Sequence, residues 1–205
     1  MKRRIIVIVA VLVFAGAFLG LRYNPAESVE LSRYDAATFA GGCFWCMEAA
    51  FESVDGVVEA VSGYTGGTVV NPTYEQVSRG GTGHLEAVQV YHNPAVVSYD
   101  ELLDVFWRSI DPTDDGGQFV DRGGQYKTAI FYHDLAQKAL AEASREALGN
   151  SGKFDEPVVS GILEFKVFYE AEEYHQDYYK KNVLNYKLYS SGSGRESFIE
   201  EHWGE

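Results

Sequence analysis

A double glycine followed directly by two cysteines constrains this chain more than any other feature. Residues 41–46 read Gly-Gly-Cys-Phe-Trp-Cys, and a short strand-like run, residues 37–40, precedes them. From Cys43 to Ser53 apolar side chains recur at helical spacing, which predicts a helix. The double glycine is therefore predicted to be a strand-to-helix turn, with Cys43 in or near the first helical turn.

The start of a helix is a favourable place for a reactive sulfur atom. Unpaired N–H groups and the positive end of the helix dipole lie there, and both favour a thiolate over a thiol. A cysteine that normally ionises near pH ~8.5 becomes a nucleophile at neutral pH in such a place. Cys46 follows three residues after Cys43, on the same face of the turn and within disulfide reach.

The pair Cys43-x-x-Cys46 contains both cysteines of the chain and closes a loop too small to stabilise a fold, so its use is chemical. Three uses fit: half of a zinc site, a thioredoxin-like dithiol, or a peroxidatic-type cysteine with a resolving partner. The bulky Phe44 and Trp45 disfavour an exposed dithiol turn and indicate a pocket for an apolar group, such as a methyl on sulfur. Zinc is disfavoured because the histidines lack the spacing of metal ligands: His84, His92, His133, His175 and His202.

The charge of the chain restricts its partners. Its 205 residues carry a formal net charge of −13, and Lys and Arg cluster only at the extreme N-terminus. Most of the surface would repel a polyphosphate, so a nucleic acid is not expected as a partner. No exposed heptad pattern predicts an oligomer, and a monomer is expected. No metal or other cofactor is expected either.

The N-terminus has the layout of an export signal. A basic start, Met1–Arg4, is followed by seventeen residues without a charge, Ile5–Leu21. This run exceeds the ~7–15 apolar residues of a usual signal peptide, which favours an uncleaved single-pass anchor over a removed signal peptide. The basic flank keeps the N-terminus cytoplasmic and exports the rest, so the protein is expected to be extracytoplasmic. Predicted segments are 1–22 (anchor or signal), 23–33 (linker) and 34–205 (folded domain).

Strands and helices alternate along the folded domain without a repeat. Together they predict an α+β fold: a two-layer α/β sandwich with a ferredoxin-like core and a long irregular C-terminal region that wraps the surface, preceded by an N-terminal hydrophobic helix. The predicted strands are 56–62, 85–91, 127–132 and 158–165, with a tight turn at 63–67 and a second turn that begins at 71–74. The predicted helices are 99–110, which begins with a capping box at Ser98–Glu101, and 134–148, which is stopped by Gly149 and Asn150. A helix or long turn is predicted at 170–181.

Glu86 is the best second catalytic group. It shares one face of its predicted strand with Val88 and Val90, which predicts partial burial, although a solvated glutamate also fits the pattern. His175 lies among tyrosines and is predicted to be a hydrogen-bonded structural histidine rather than a proton carrier. The acidic loop that starts at Asp111 is not a calcium loop, since its twelfth position is Arg122 where a bidentate glutamate is needed.

Several motifs in order resemble the A-type peptide methionine sulfoxide reductase family (the MsrA family). The resemblance runs from about Thr38 to the Gly-Ser-Gly-Arg sequence at 192–195. Its motifs are Gly41–Trp45, Gly63–Gly67, Asn71–Tyr74, Gly83-His84-x-Glu86 and Asp121–Tyr126. The resemblance implies an α+β sandwich with a long coiled C-terminal region, and reduction of the S epimer of methionine sulfoxide alone.

The same resemblance implies roles for individual residues. Cys43 is the implied nucleophile, and Glu86 the acid that protonates the sulfoxide oxygen. Phe44 and Trp45 form the implied methyl-binding wall. The polar side of the substrate matches three further positions, Tyr74, Asp121 and Tyr126.

Two departures from the family pattern bear on recycling and on loop shape. Many relatives resolve the oxidised cysteine with another in the C-terminal tail, but Leu188–Glu205 contains none. Recycling must therefore fall to Cys46 or to an external thiol. In addition, Phe119 and Val120 precede Asp121 where small or amide residues are familiar.

The expected reaction turns methionine sulfoxide in oxidised proteins or peptides into methionine and leaves a sulfenic acid on Cys43. Cys46 then forms a disulfide with Cys43, which a thioredoxin-like reductant opens. The rival hypotheses are an extracytoplasmic thiol–disulfide oxidoreductase that uses the same pair, and an anchored binding module without catalysis.

Overall fold

A computed structural model describes residues 30–204 of the chain as an α+β fold, which confirms the predicted class. Its strands are β1 (Asp35–Gly41), β2 (Val57–Thr65), β3 (Leu85–His92), β4 (Gly117–Gln118), β5 (Asp121–Arg122), β6 (Thr128–Tyr132), β7 (Gly161–Glu164) and β8 (Phe168–Glu170). Its helices are α1 (Phe44–Glu52), α2 (Tyr74–Ser78), α3 (Tyr99–Arg108), α4 (Leu135–Asn150), α5 (Tyr178–Lys181), α6 (Val183–Gly192) and α7 (Arg195–Trp203), with 3₁₀ turns at Leu31–Arg33 and Gly124–Tyr126.

The predicted anchor or signal, residues 1–22, lies outside the described residues, as does most of the predicted linker. Between residues 30 and 204, no helix combines the length and the apolar character needed to cross a bilayer.

Six strands form one sheet in the order β7-β6-β1-β3-β2-β8. All neighbours are antiparallel except β6 and β7, which are parallel. The register places Tyr64 of β2 opposite Glu86 of β3, and Gly41 of β1 opposite Thr128 of β6. The two central strands therefore lead directly to the Gly41 turn and to the Glu86 carboxyl.

The core lies between this sheet and the helices that pack on it. Phe39 of β1 stacks on Phe51 of α1 and on Phe106 of α3, with ring centroids 4.8 and 5.4 Å apart. All three rings are fully buried. Burial of such rings contributes roughly 1.5–3 kcal/mol each, so they fix α1 firmly against β1. The turn that joins these two elements is held by their packing.

Side-chain caps define where several helices begin. Ser98 and Glu101 form the capping box predicted for α3, since each side chain bonds the backbone N–H of the other residue. Thr73 and Gln76 form a second capping box at α2, in a segment that the sequence predicts only as a turn. Asp134 caps α4 through the N–H of Gln137.

Some predicted boundaries were wrong. Gly63–Thr65 belongs to β2 and not to a tight turn, because the backbone of these residues pairs with β3 on one side and with β8 on the other. The turn begins only at Gly66, where φ is +85°. The strand predicted at 158–165 is limited to β7, and α4 continues to Asn150 through the Gly149 that was expected to stop it.

The C-terminal region is more regular than predicted. Instead of only wrapping the surface, it adds β8 to the edge of the sheet beside β2. It then forms three helices, α5, α6 and α7. These helices are difficult to predict because their sequence is rich in tyrosines and lacks a strong apolar period. In the structure several of these tyrosines make tertiary contacts.

Candidate active site

The turn before the first cysteine requires both of its glycines. Gly42 has φ +81°, and a Cβ there would lie 2.6 Å from Cβ of Gln118. A Cβ on Gly41 would lie 2.4 Å from the sulfur of Met47. The chain can therefore leave β1 and enter α1 within two residues, which places Cys43 at the N-cap of α1. This confirms the predicted strand-to-helix turn.

A cavity of about 190 Å³ opens in front of Cys43. It brings together seven of the eight site residues that the sequence predicts, and Cys46 is the exception. The lining consists of Cys43, Phe44, Trp45, Tyr74, Glu86, Asp121, Tyr126 and Tyr189. The motifs thus meet in space although they are spread over more than 80 residues of sequence.

The Glu86 carboxyl lies at the inner end of this cavity. It is 2% exposed, and Oε2 accepts a hydrogen bond of 3.2 Å from the backbone N–H of Phe44. Burial raises the pKa of Glu86 to about 8, and the hydrogen bond from Phe44 opposes this rise only in part. The carboxyl is therefore protonated at neutral pH, as a general acid must be.

The two thiols are in different electrostatic environments. Burial is the largest cause of a raised pKa at Cys43, and the nearby charges of Cys46 and Glu86 raise it further. The hydrogen bond with Cys43 lowers the pKa of Cys46 to about 7, against the effect of burial. The helix start was expected to lower the pKa of Cys43, but burial raises it. The directions of the two shifts favour Cys46 as the thiolate of the pair.

Aromatic rings form the apolar wall of the cavity. Phe44 is fully buried, and Trp45 stacks on Tyr178 with the ring centroids 3.8 Å apart. The indole N–H of Trp45 donates to Nδ1 of His175 over 3.2 Å. Since Nδ1 accepts, the His175 ring is neutral, and burial lowers its pKa in agreement. His175 therefore holds Trp45 in place, as its predicted structural role requires.

Polar groups face this wall. The hydroxyl of Tyr189 donates to the carboxylate of Asp121 and also lies within hydrogen-bond reach of the Cys43 sulfur. Burial raises the pKa of Tyr74 to about 12 and that of Tyr126 above its ordinary range, so both remain neutral hydroxyl donors. The backbone N–H of Tyr74 is held by Glu172 at 2.9 Å.

Tyr189 is the functional residue that sequence reasoning missed. It lies in α6, within the tail that was expected only to wrap the surface. A signal was present: Tyr186 and Tyr189 stand three residues apart, which on a helix places both on one face. In the structure these two tyrosines contact the sulfurs of Cys46 and Cys43, respectively.

One group of carboxylates between residues 30 and 204 has the spacing of a metal site. Oxygens of Glu48, Glu52 and Asp177 lie within 4.8 Å of one another. Protein groups already bind them: the Ser62 hydroxyl and the Asp177 N–H bond Glu48, and Lys180 pairs with Glu52. These partners account for the cluster without a metal.

Taken together, the cavity offers a sulfur nucleophile, a protonated carboxyl and two hydroxyl donors, those of Tyr74 and Tyr126, beside an apolar wall. Such a set can bind a polar oxygen next to a methyl-bearing atom. It can also donate a proton to that oxygen while the sulfur attacks.

Comparisons with known proteins agree with this chemistry. The family model described as peptide methionine sulfoxide reductase matches residues 35–205. Peptide methionine sulfoxide reductase MsrA of Bacillus subtilis is 57% identical over 170 residues, which cover 83% of this chain and 96% of that protein. Mxr1 from Saccharomyces cerevisiae in reduced form is similar in structure, with a TM-score of 0.69 and 34% identity over 73% of this chain and 86% of that one. Mxr1 in complex with Trx2 gives a TM-score of 0.51 at 26% identity, over 78% of this chain and 91% of that one.

Proposed function

Because the chain belongs to the peptide methionine sulfoxide reductase family, as an A-type enzyme, we propose that it reduces methionine-(S)-sulfoxide with Cys43 as nucleophile and Glu86 as acid. One observation carries this assignment of roles: a buried carboxyl with a pKa of about 8 lines the same 190 Å³ cavity as the Cys43 sulfur. A neutral acid and a thiol that share one cavity are the two groups that oxygen removal from sulfur needs.

In the first step the Cys43 sulfur attacks the sulfoxide sulfur while Glu86 protonates the oxygen. The proton of Cys43 passes to the Cys46 thiolate along the hydrogen bond between them. The bond between the two sulfurs and the S–O bond of the substrate then break as the oxygen moves to Cys43, which is oxidised to a sulfenic acid, and the reduced substrate leaves as methionine. Glu86 is left as a carboxylate and Cys46 as a thiol, so protons and charge balance.

The surrounding side chains support this step. The rings of Phe44 and Trp45 accept the methyl group of the substrate, because an apolar wall favours it over water. Hydroxyl groups of Tyr74 and Tyr126 bind the oxygen as negative charge builds on it. Asp121 holds the Tyr189 hydroxyl beside the Cys43 sulfur. The selectivity for the S epimer rests on the family resemblance.

In the second step Cys46 attacks the oxidised Cys43, which gives a Cys43–Cys46 disulfide and water. A thioredoxin-like dithiol then reduces the disulfide. The structure of Mxr1 bound to Trx2 supports a donor of this kind, since Mxr1 is similar in structure to this chain.

We also propose a place for the enzyme and a class for its core. The basic start and the uncharged run Ile5–Leu21 support an extracytoplasmic position, with an anchor or a removed signal. The central strands, β6-β1-β3-β2, are connected in the sequence β1-α1-β2-β3-α3-β6. This β-α-β-β-α-β connectivity supports a ferredoxin-like core.

A peptide assay tests the proposed function. Two peptides that differ only in the epimer of one methionine sulfoxide are incubated with enzyme and dithiothreitol, and their masses are followed. The S-epimer peptide should lose the mass of one oxygen, and the R-epimer peptide should not. Cys43→Ser should lose this activity entirely, because a serine hydroxyl is a far weaker nucleophile. Reduction by Cys43→Ser would contradict the assignment.

A further inference from the structure

A buried arginine lies directly behind the two cysteines. Arg195 is the first residue of α7 and is 5% exposed. One terminal nitrogen, Nη2, donates to the carbonyl of Gly41 over 2.9 Å, and the other, Nη1, donates to the carbonyl of Ser109. Nη1 also lies 3.7 Å from the sulfur of Met47. Two of these contacts, Gly41 and Met47, flank the Cys43-x-x-Cys46 motif in sequence.

The Gly-Ser-Gly-Arg tail motif folds so as to place this side chain. Gly194 is in the left-handed region, with φ +89°, and caps α7. The hydroxyl of Ser193 accepts a hydrogen bond of 3.2 Å from the Arg195 N–H. The turn between α6 and α7 therefore directs Arg195 inward, under the Gly41–Gly42 turn.

The positive charge of Arg195 has no carboxylate bound to it. Throughout residues 30–204 it makes no salt bridge, and its buried Nε atom has no hydrogen-bond partner. The Phe119 ring covers the guanidinium, with the centroid 4.7 Å from Cζ. A buried cation with only backbone acceptors is costly unless a negative charge lies nearby.

Two groups supply negative charge near Arg195: the Asp121 carboxylate, where the attraction of Arg195 opposes the rise in pKa caused by burial, and the cysteine pair. The attraction of Arg195 and a hydrogen bond with Tyr186 are two of the causes that lower the pKa of Cys46, together with the larger effect of Cys43. Titratable and charged groups face Cys46 from five elements: Cys43 at the start of α1, Glu86 of β3, Asp121 of β5, Tyr186 and Tyr189 of α6, and Arg195 of α7. Arg195 is the one cation in this set.

We propose that Arg195 is a positioning residue that holds negative charge on the Cys46 sulfur and so prepares Cys46 to resolve the oxidised Cys43. The inference rests on the recycling step proposed above. In that step the Cys46 thiolate attacks the sulfur of the Cys43 sulfenic acid. The S–S bond forms as the S–O bond breaks, and the oxygen leaves as hydroxide, which a proton from solvent converts to water. The sulfenic sulfur is reduced and the Cys46 sulfur is oxidised.

The charge on Cys46 is measured directly through its reactivity. In a Cys43→Ser background, which leaves Cys46 as the single cysteine, the rate of alkylation by iodoacetamide is followed by intact mass across a range of pH. Arg195→Gln removes the charge and keeps a donor, while Arg195→Met removes both and keeps apolar volume against Phe119. In either neutral variant the midpoint of the rate profile should rise by about one pH unit, since an opposite charge at close range shifts a pKa by about that much or more.

Two further variants separate charge from structure. Arg195→Lys keeps the charge and should return the midpoint toward that of the parent. Arg145→Gln is the matched control: Arg145 lies on α4, and its guanidinium also donates to a backbone carbonyl, that of Ser160 at 3.3 Å. The midpoint for Cys46 alkylation should not move in this variant. A loosened structure would raise the plateau rate and would also carry the midpoint toward that of a free thiol near pH ~8.5, so the proposal requires a raised midpoint at an unchanged plateau rate together with the return of the midpoint in Arg195→Lys. An unmoved midpoint in the neutral variants, or a midpoint that rises equally in Arg195→Lys, would overturn the proposal.

Steady-state cycling in the enzyme with both cysteines gives the second readout. With a thioredoxin system as reductant, Arg195→Gln should cycle about tenfold more slowly at neutral pH and recover at higher pH. If the alkylation midpoint moves but cycling does not, the charge assignment of Arg195 stands and the proposed recycling role of Cys46 is overturned. The two failures are therefore distinguishable.

Discussion

The two cysteines of one motif, three residues apart, are in opposite surroundings. Cys43 faces a cavity with aromatic rings and a buried carboxyl, and its thiol has a raised pKa. Cys46 faces α6 and α7; its hydrogen bond with Cys43 lowers its pKa to about 7, with smaller contributions from Arg195 and Tyr186. The difference teaches that a Cys-x-x-Cys motif need not be a symmetrical dithiol: one sulfur lines a cavity, and the other lies among the side chains of the C-terminal helices.

The largest effect should come from removing one sulfur and keeping the other. Cys46→Ser should still produce about one methionine per enzyme, because Cys43 and its cavity are intact, but should not cycle with a thioredoxin system. The measurement is the amount of methionine formed per enzyme, with and without that reductant. Sustained cycling by Cys46→Ser would show that Cys46 has only a packing role, which would contradict the proposed difference in function between the two sulfurs.

The second-largest effect should come from removing the acid Glu86, which lies beside Cys43. Glu86→Gln keeps the shape of the side chain and removes its transferable proton, so the single-turnover rate should fall about 10²-fold or more. Glu48→Gln is a matched control, because Glu48 is also buried and its pKa is also raised, to about 7, but it lies outside the cavity. The control should remain within a few fold of the wild-type rate. Equal losses in both variants would indicate a general effect of buried carboxyls.

The pH dependence of the single-turnover rate constant at low substrate concentration should show the two environments as two limbs. Glu86 must be protonated to act, so activity is present below its pKa and declines about tenfold per pH unit above pH 8. The rising limb, near pH 7, belongs to the Cys46 thiolate that accepts the Cys43 proton. Glu86→Gln should abolish the falling limb, and Cys46→Ser should retain it. A falling limb that persists in Glu86→Gln would assign it to another group.

The smallest effect on the rate should come from removing the hydroxyl of Tyr189. Tyr189→Phe removes a hydroxyl that contacts both Asp121 and the Cys43 sulfur. Loss of one such hydrogen bond should slow the single-turnover rate roughly two- to tenfold. Tyr179→Phe is the control, since its hydroxyl binds Glu52 away from the cavity. An unchanged rate in Tyr189→Phe would limit that residue to packing.

Local patterns in the sequence predicted much of this site. The Gly-Gly-Cys turn, the capping box at Ser98 and the burial of Glu86 each follow from spacing within about ten residues, and the structure confirms all three. The family resemblance then added Tyr74, Asp121 and Tyr126, which line the same cavity. Spacing alone could not have brought these three together, because separate elements carry them: α2, β5 and the 3₁₀ turn at Gly124–Tyr126.

The sequence did not predict the raised pKa of Cys43, which depends on burial, or the contacts of Tyr189 and Arg195, which depend on the fold of the C-terminal tail. The raised pKa of Cys43 comes mainly from burial, and the degree of burial is not visible in a local pattern. Tyr189 and Arg195 reach the cysteines only because α6 and α7 fold back over the start of α1. Contacts across more than 140 residues are set by tertiary packing rather than by local spacing.

Oxygen transfer to Cys43 is the central claim, and an isotope experiment tests it most directly. Cys46→Ser enzyme is mixed with an S-epimer peptide whose sulfoxide carries a heavy oxygen isotope. The masses of the intact protein and of its proteolytic peptides are then measured by mass spectrometry before any trapping reagent is added. The account predicts that the heavy oxygen appears on the peptide that contains Cys43, in proportion to the methionine formed. Methionine formed at the same yield, with the label in water and an unmodified Cys43, would contradict it.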